Sequence, residues 1–256
     1  MKVRYLLIAV AVIFVAGMLA NQSYAKIDPK TIVASWSFDE GSGTKVIDSS
    51  GNGCDGTITG AKWVDGMAKP SKALNFDGVG NLVLADIKGT VPQSLTLEAW
   101  IYPVAGGVVF AELGQGTANS GWHDSQMEVL STGEIKVGFW SGAETGISLG
   151  TYKLNTWYYV VMTYDKDNKN TISGYVNGEL KKTGSFVKQY PGDLWYAIGS
   201  ADTTSLGEGK FFKGMIDKAT VYNVALSADD VKQGFATTAV LPAGKMTTTW
   251  ASIKDR

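Results

Sequence analysis

Residues 94–103 read SLTLEAWIYP, and the alternation of side chains in this stretch decides the class of fold. Leu95, Leu97, Ala99 and Ile101 fall on one side of an extended chain, because successive side chains of a β-strand point to opposite faces. The pattern predicts a strand with one face in a hydrophobic core. The chain around it consists of short runs rich in Thr, Val and aromatic residues, separated by turn residues, which is typical of an antiparallel sandwich or barrel.

Three further stretches support an all-β fold with one short helix. WYYVVMTYD (157–165) is apolar on both faces, which predicts a central strand that is covered on both sides. Asn177-Gly178 lies between two strand-like runs and predicts a β-hairpin turn. In LSADDVKQGF (226–235), Ser227 is a helix cap and two acidic residues follow in the first turn, so we expect a helix there.

Residues 1–25 have the features of a signal peptide. Two basic residues precede an apolar run over 5–20, and Ser23 and Ala25 are small residues at the positions that a signal peptidase reads. A permanent membrane anchor is the alternative, but the apolar run is short for a spanning helix. We therefore expect a secreted or periplasmic protein with no membrane insertion after cleavage, a domain over 26–238 and a tail over 239–256.

Charge and cysteine content narrow the classes of function. Two of the 23 basic residues, Lys2 and Arg4, lie in the predicted signal peptide. The remaining chain therefore carries a net charge of about −3. This balance excludes the strongly basic surface of a nucleic-acid binder. Cys54 is the single cysteine, which excludes an internal disulfide.

Six segments occur in an order and spacing that resemble a known family. The family is the laminin-G-like jelly-roll domain of secreted bacterial proteins, within the concanavalin A-like lectin/glucanase superfamily. This resemblance implies a two-sheet antiparallel jelly-roll sandwich, with a concave face that can hold a ligand and a convex face near the chain ends. It also implies a binding module, since many relatives have no proven catalytic activity. The segments are SWSFDEGSGTKVIDSSGNGCDGTI (35–58), ALNFDGVGNLVL (73–84), SLTLEAWI (94–101), NTWYYVVMTYD (155–165), YVNGEL (175–180) and FFKGMIDKATVYNVALSADDV (211–231).

Catalytic motifs are not found in the sequence. The enzymes of this superfamily use paired carboxylates in a Glu-x-Asp-x-x-Glu pattern, and no glutamate of this chain begins one. His123, the single histidine, adjoins Asp124, but adjacent residues of a strand point to opposite sides. We expect a protein that is not an enzyme; a hydrolase of unfamiliar type is the weakest alternative.

Aromatic residues near loops and strand ends are the candidates for ligand binding, because sugars stack their C–H surfaces on flat rings. We expect a carbohydrate-binding module whose partner is a glycan or glycoprotein surface. The alternatives are that these rings pack loops onto the sandwich, or that the domain mediates protein–protein adhesion. The candidates are Trp122, His123, Asp124, Trp140, Tyr190 and Trp195, with Asp193 and Tyr196 nearby.

The stretch VIDSSGNGCDGTI (46–58) is rich in short oxygen-bearing side chains of the kind that Ca²⁺ prefers. The resemblance implies a structural cation at the convex side, held by the end of the first strand, this loop and an aspartate in a late strand. The alternative is a set of Asx turns that need no ion. The calcium candidates are Asp39 or Glu40, Asp48, Asn52 and Asp217.

Overall fold

The computed structural model describes residues 27–87, 92–116, 123–140, 144–189, 194–200 and 211–239. Within these ranges the chain forms one short 3₁₀ turn (Pro29–Thr31), a series of strands and a helix, α1 (Ala228–Ala239). The strands are β1 (Ile32–Trp36), β2 (Lys45–Val46), β3 (Gly56–Thr59), β4 (Lys62–Asp65), β5 (Lys72–Asp77), β6 (Leu82–Asp86), β7 (Leu95–Pro103), β8 (Gly107–Leu113), β9 (His123–Val129), β10 (Glu134–Trp140), β11 (Glu144–Thr151), β12 (Tyr158–Asp165), β13 (Thr171–Val176), β14 (Glu179–Ser185), β15 (Trp195–Ile198) and β16 (Lys213–Tyr222).

The strands form two antiparallel eight-stranded sheets. Sheet A has the order β14-β13-β12-β7-β16-β5-β4, and β1 also pairs with β16. Sheet B has the order β11-β10-β9-β8-β15-β6-β3-β2. The inner faces of the two sheets enclose one large hydrophobic core, so the predicted two-sheet antiparallel sandwich is confirmed.

Sheet A is buried on both faces along its central strands. Leu95, Leu97, Ala99 and Ile101 of β7 lie in the core, as the alternation predicts. The residues between them are also buried, because Trp100 belongs to a second hydrophobic cluster on the outer face of the sheet. Strand β12 is buried from its first to its penultimate residue, which confirms the prediction from its two apolar faces.

Helix α1 covers the outer face of sheet A. Ser227 Oγ accepts a hydrogen bond from Asp230 N (3.2 Å), and Asp230 Oδ2 accepts one from Ser227 N (3.1 Å), which is a capping box with aspartate in the usual glutamate position. Val231 is fully buried, and the ring of Phe235 stacks on Trp100 at a centroid distance of 5.8 Å. The predicted helix and its cap are therefore confirmed, and Val231 and Phe235 form the buried side of the helix.

Several short strands were not predicted from the sequence, notably β2, β3 and β15. These strands are two to four residues long, too short to show an alternating pattern, and they become visible only through their pairing with neighbours. The predicted hairpin at Asn177-Gly178 is confirmed, since both residues have positive φ (53° and 78°), as a type I′ turn requires. Among the described residues, no helix is long and apolar enough to cross a membrane.

Gly234 lets α1 approach sheet A closely. A methyl group at this position would lie 2.6 Å from Tyr159 Oη, which donates a hydrogen bond to the buried Glu98 carboxylate. We expect Gly234→Ala to lower the free energy of unfolding by about 1–3 kcal/mol through overpacking. Helix propensity alone predicts the opposite sign, a gain of about 1 kcal/mol.

The matched control is Ala236→Gly, at an exposed position of the same helix. It removes helix propensity without touching the sheet, so we expect a loss of about 1 kcal/mol. Urea denaturation measures both variants. A Gly234→Ala protein more stable than the parent would contradict the close approach.

Candidate functional site

The outer face of sheet B carries a separate hydrophobic cluster. Val108, Ala111, Leu113 and Ala197 are buried there, and Leu84 and Trp195 pack partly buried against them. All six residues come from the strands of sheet B, and none comes from α1 or sheet A. This face therefore differs from the outer face of sheet A, which the chain's own helix covers.

The strand register places a row of side chains across this face. Trp195 of β15 is opposite Asp86 of β6 on one side and opposite Leu113 of β8 on the other. Leu113 is in turn opposite His123 of β9. Directly opposed residues share one face of a sheet, so Asp86, Trp195, Leu113 and His123 form a line across four strands, the outer row.

Trp140 lies at the end of this row. It is the last residue of β10, its side chain is 44% exposed, and its backbone N–H donates a hydrogen bond to Asp124 Oδ1 at 2.7 Å. The core residues Val137 and Phe139 point inward on the same strand, so Trp140 points outward by alternation. The structure thus brings three predicted site residues, His123, Trp140 and Trp195, to one face.

The remaining ligand candidates lie elsewhere. Asp124 is on the inner face and almost fully buried, and its side chain points away from that of His123. This agrees with the expected alternation, but it means that Asp124 does not share the outer face with His123. Tyr196 is also on the inner face, where its ring belongs to the core. Trp122, Tyr190 and Asp193 lie outside the described residues.

A shallow depression lies on sheet B toward the other end of β9, next to the start of β8. Its volume is about 350 Å³, within the range of small-ligand sites. Glu128 contributes to its lining and pairs with Lys136 of β10 at 3.4 Å. The lining residues are Gly106, Gly107, Glu128, Val129, Leu130, Ser131 and Phe211.

Beneath the outer row, between the two sheets, lies a buried polar cluster. Lys188 Nζ donates to Glu112 Oε2 at 2.5 Å, and neither side chain is exposed to solvent. Tyr196 Oη donates to the other oxygen of Glu112 at 3.0 Å. Asp124 stands directly opposite Glu112 in the β8–β9 register. Burial, together with the negative charge of Glu112, raises the pKa of Asp124 to about 7, against the lowering effects of Lys188, the Trp140 N–H and the Gln126 side chain.

The oxygen-rich loop is organised around Asp48. Its Oδ1 accepts hydrogen bonds from the backbone N–H groups of Ser35 and Ser50, both at 2.9 Å. Its Oδ2 accepts from Ser50 Oγ (2.7 Å) and Cys54 N (3.1 Å). The amide of Asn52 donates to the carbonyls of Ile32 and Val33. These bonds are those of the Asx-turn alternative, and they hold the loop to β1.

The other calcium candidates lie beside the segment 66–71. Asp217 Oδ2 accepts hydrogen bonds from Met67 N (2.6 Å) and Ser71 Oγ (3.1 Å), and Asp39 Oδ1 accepts one from Lys72 N (3.1 Å). A Cβ atom at Gly66 would lie 2.5 Å from Asp217 Oδ2, so the backbone forms a tight cradle around this oxygen. Burial, together with the charge of Asp39, raises the pKa of Asp217 to about 6, against the lowering effects of the hydrogen bonds from Met67 N and Ser71 Oγ.

The calcium candidates do not form a single cluster. Asp39 and Asp217 are near enough for their charges to interact, whereas both oxygens of Asp48 accept hydrogen bonds from its own loop and from β1. The described residues contain no group of three or more His, Cys, Asp or Glu side chains suited to a metal ion. The pair therefore suits Ca²⁺ only if backbone carbonyls and water supply the other ligands, which is common for this ion.

Comparison with known proteins identifies the family. A family model described as the concanavalin A-like lectin/glucanases superfamily (Laminin_G_3) matches residues 76–232. The chain belongs to this family. The resemblance expected from the sequence motifs is thus confirmed. No curated protein sequence matches the chain.

Solved structures of other proteins share the fold of the domain and little of its sequence. Trypanosoma rangeli sialidase in complex with sialic acid superposes with a TM-score of 0.62 and 18% identity, over 84% of this chain and 34% of the sialidase. Domain 4 of AbnA, a GH43 arabinanase from Geobacillus stearothermophilus in complex with arabinotriose, superposes with a TM-score of 0.58 and 20% identity. The match covers 79% of this chain and 97% of that domain.

The receptor-binding domain of botulinum neurotoxin D gives a TM-score of 0.58 with 13% identity, over 83% of this chain and 54% of that domain. At such identities the likeness shows the fold alone. The domain spans about a third of the sialidase and about half of the toxin fragment.

Sequence reasoning missed Asp86 and the Glu128–Lys136 pair on the outer face of sheet B. The alternation in NLVLAD shows that Asp86 shares a face with Leu82 and Leu84, but only the register with β15 shows that Trp195 is its neighbour. No local signal indicates the buried Lys188–Glu112 pair, because its members are 76 positions apart.

We expect Asp48→Ala to destabilise the protein strongly. The substitution leaves the buried N–H groups of Ser35 and Cys54 without an acceptor, at about 1–3 kcal/mol each, so the free energy of unfolding falls by about 2–6 kcal/mol. The comparison variant is Asp55→Ala, which removes a single acceptor from Asp48 N at an exposed residue and costs about 1 kcal/mol. Equal losses in chemical denaturation would contradict a central role for Asp48.

Proposed function

We propose that the domain is an exported, non-catalytic carbohydrate-binding module whose ligand lies on the outer face of sheet B. The observation that carries the proposal is the convergence of Trp140, His123 and Trp195 on that face, beside the Asp86 carboxylate. Tryptophan faces stack on sugar C–H surfaces, while carboxylate and imidazole groups hydrogen-bond to hydroxyls. The opposite face of the sandwich is closed by the chain's own helix.

The spacing of the two tryptophans favours an oligosaccharide over a single sugar. Trp195 and Trp140 are three interstrand steps apart, from β15 through β8 and β9 to β10. At about 4.8 Å a step, their backbones are about 14 Å apart. A ligand that contacts both rings therefore spans several sugar units. Bound arabinotriose in the arabinanase domain of similar fold makes neutral oligosaccharides of this length the first ligands to test.

Trp140→Ala tests the ligand face with little risk to folding, because the side chain is nearly half exposed. Removing an aromatic anchor costs roughly 2 kcal/mol of binding, so we expect retention of the glycan selected on an array to fall by about tenfold or more. Trp195→Ala should weaken retention similarly and also lower thermal stability, since its ring packs in the buried cluster of sheet B.

Leu180→Ala is the matched control. Leu180 is 51% exposed and lies on β14 of sheet A, away from the proposed face. Its truncation should leave both retention and melting temperature unchanged. If Trp140→Ala retains glycan as the parent does, the assignment to this face fails.

The array screen also separates the proposal from its alternatives. A domain that binds no glycan but captures a protein in a pull-down is an adhesion module. The proposed lack of catalysis follows from the absence of the paired-carboxylate motif in the sequence. Release of reducing ends from mixed polysaccharides would contradict it.

We also propose a structural calcium ion beside Asp39 and Asp217, with backbone oxygens of the neighbouring loops as further ligands. The repulsion between the two carboxylates and the tight backbone at Gly66 support this position over Asp48. A chelator should lower the melting temperature of the parent protein, because an ion that binds only the folded state stabilises it. In Asp217→Asn the chelator should have no effect. Identical melting curves of the parent with and without chelator would rule out the ion.

A further inference from the structure

The buried cluster beneath the outer row holds more negative than positive charge. Among the described residues that face Asp124, the ionisable groups are Glu112 on β8, Lys188 after β14 and Tyr196 on β15. Lys188 is already bonded to Glu112 at 2.5 Å. With both acids ionised, the cluster would carry one uncompensated negative charge in the interior, an arrangement that proteins avoid.

The hydrogen bonds around Asp124 are also incomplete. Its Oδ1 accepts the Trp140 N–H, but Oδ2 is buried without a partner. The side-chain oxygen and nitrogen of Gln126 are likewise buried and unpartnered, two positions along the same strand. The Gln126 side chain is close enough to Asp124 to affect its pKa. A proton on Asp124 Oδ2 removes the excess charge and gives the carboxyl a donor, which the Gln126 amide oxygen can accept when the amide is turned toward it.

Asp124 connects this interior to the proposed ligand face. Its chain neighbour His123 belongs to the outer row, and its carboxyl holds the backbone of Trp140. Directly across the strand pair, Asp124 faces Glu112, so two negative charges there would repel each other between β8 and β9. The protonation of Asp124 therefore affects the strand end that carries both residues.

We propose that Asp124 is a positioning residue that keeps its proton well above the pH at which an exposed aspartate loses it and, in that neutral form, fixes the end of β9 beneath the proposed ligand face. Loss of the proton places a second charge opposite Glu112 and loosens the β8–β9 pairing at Leu113 and His123. The effect on glycan binding rests on the proposed function, whereas the proton site does not.

The folding stability of the protein should depend on the protonation of the Asp124 carboxyl. The carboxyl pKa in the folded protein, about 7, lies above the usual value of 3.8. The folded state therefore binds the proton more tightly than the unfolded state does, and stability falls as pH rises from about 4 to about 7. Asp124→Asn keeps the acceptor for Trp140 N–H and cannot ionise. The melting temperature of this variant should therefore lack the part of the decrease between about pH 4 and pH 7 that is due to Asp124.

The deciding experiment is a ligand-free NMR titration of the full chain. The backbone amide shift of Trp140 should change with a midpoint near pH 7 in the parent protein and stay constant in Asp124→Asn. Histidine side chains in general change charge between about pH 5 and 8, so His123→Gln is the control and should keep the midpoint. Amide exchange at residues 123–125, corrected for its intrinsic pH dependence, should speed up above the midpoint in the parent alone.

A Trp140 titration that disappears in His123→Gln and persists in Asp124→Asn would overturn the proposal. So would an Asp124 carboxyl ¹³C shift that titrates near pH 4 in the unaltered protein, a measurement that needs no variant to fold. Because no glycan is present, neither result depends on whether the domain binds sugar.

Discussion

Burial on both faces of sheet A is the constraint on which the rest of the structure depends. The inner face of β7 supplies the core, and its outer face carries Glu98, which is buried against Tyr159 and Lys218. A buried carboxylate needs such partners, because an unpaired charge in the interior is costly. The Lys218 ammonium lowers the pKa of Glu98 and keeps it charged despite its burial. Helix α1 then covers this outer face through Phe235 and Trp100.

The outer side of sheet A is covered by α1, and the ligand site that we propose is on the outer side of sheet B. The hydrophobic cluster on the outer side of sheet B consists of residues of that sheet. No hydrophobic residue from elsewhere in the described chain takes part in it. Trp140, His123 and Trp195 share that face with the depression at Glu128. A buried polar cluster of Glu112, Lys188 and Asp124 lies below the outer row, so the proposed ligand face and this cluster are on opposite sides of the same strands.

Sequence reasoning succeeded where a local period carries the information. The alternation in β7, the two apolar faces of β12 and the capping residue Ser227 each predicted the observed structure. Alternation also separated His123 from Asp124. It could not show that both oxygens of the Asp48 carboxylate accept hydrogen bonds, because two of the donors come from β1 and from the chain beyond the turn.

The pairing of strands that are distant in sequence determines the parts of the site that no local pattern indicates. The outer row needs four strands from distant parts of the chain, and β15, which carries Trp195, is too short for an alternating pattern. The calcium prediction has the same limit. The sequence grouped Asp48 with Asp217, whereas the fold places Asp217 beside Asp39 and the cradle at Gly66, a contact that no spacing in the sequence indicates.

The most direct test of a glycan site on sheet B is backbone amide shift mapping during titration with the glycan selected by the array. The account predicts shift changes concentrated at Asp86, Trp195, Leu113, His123 and Trp140. Changes concentrated on α1 and the outer face of sheet A would contradict it.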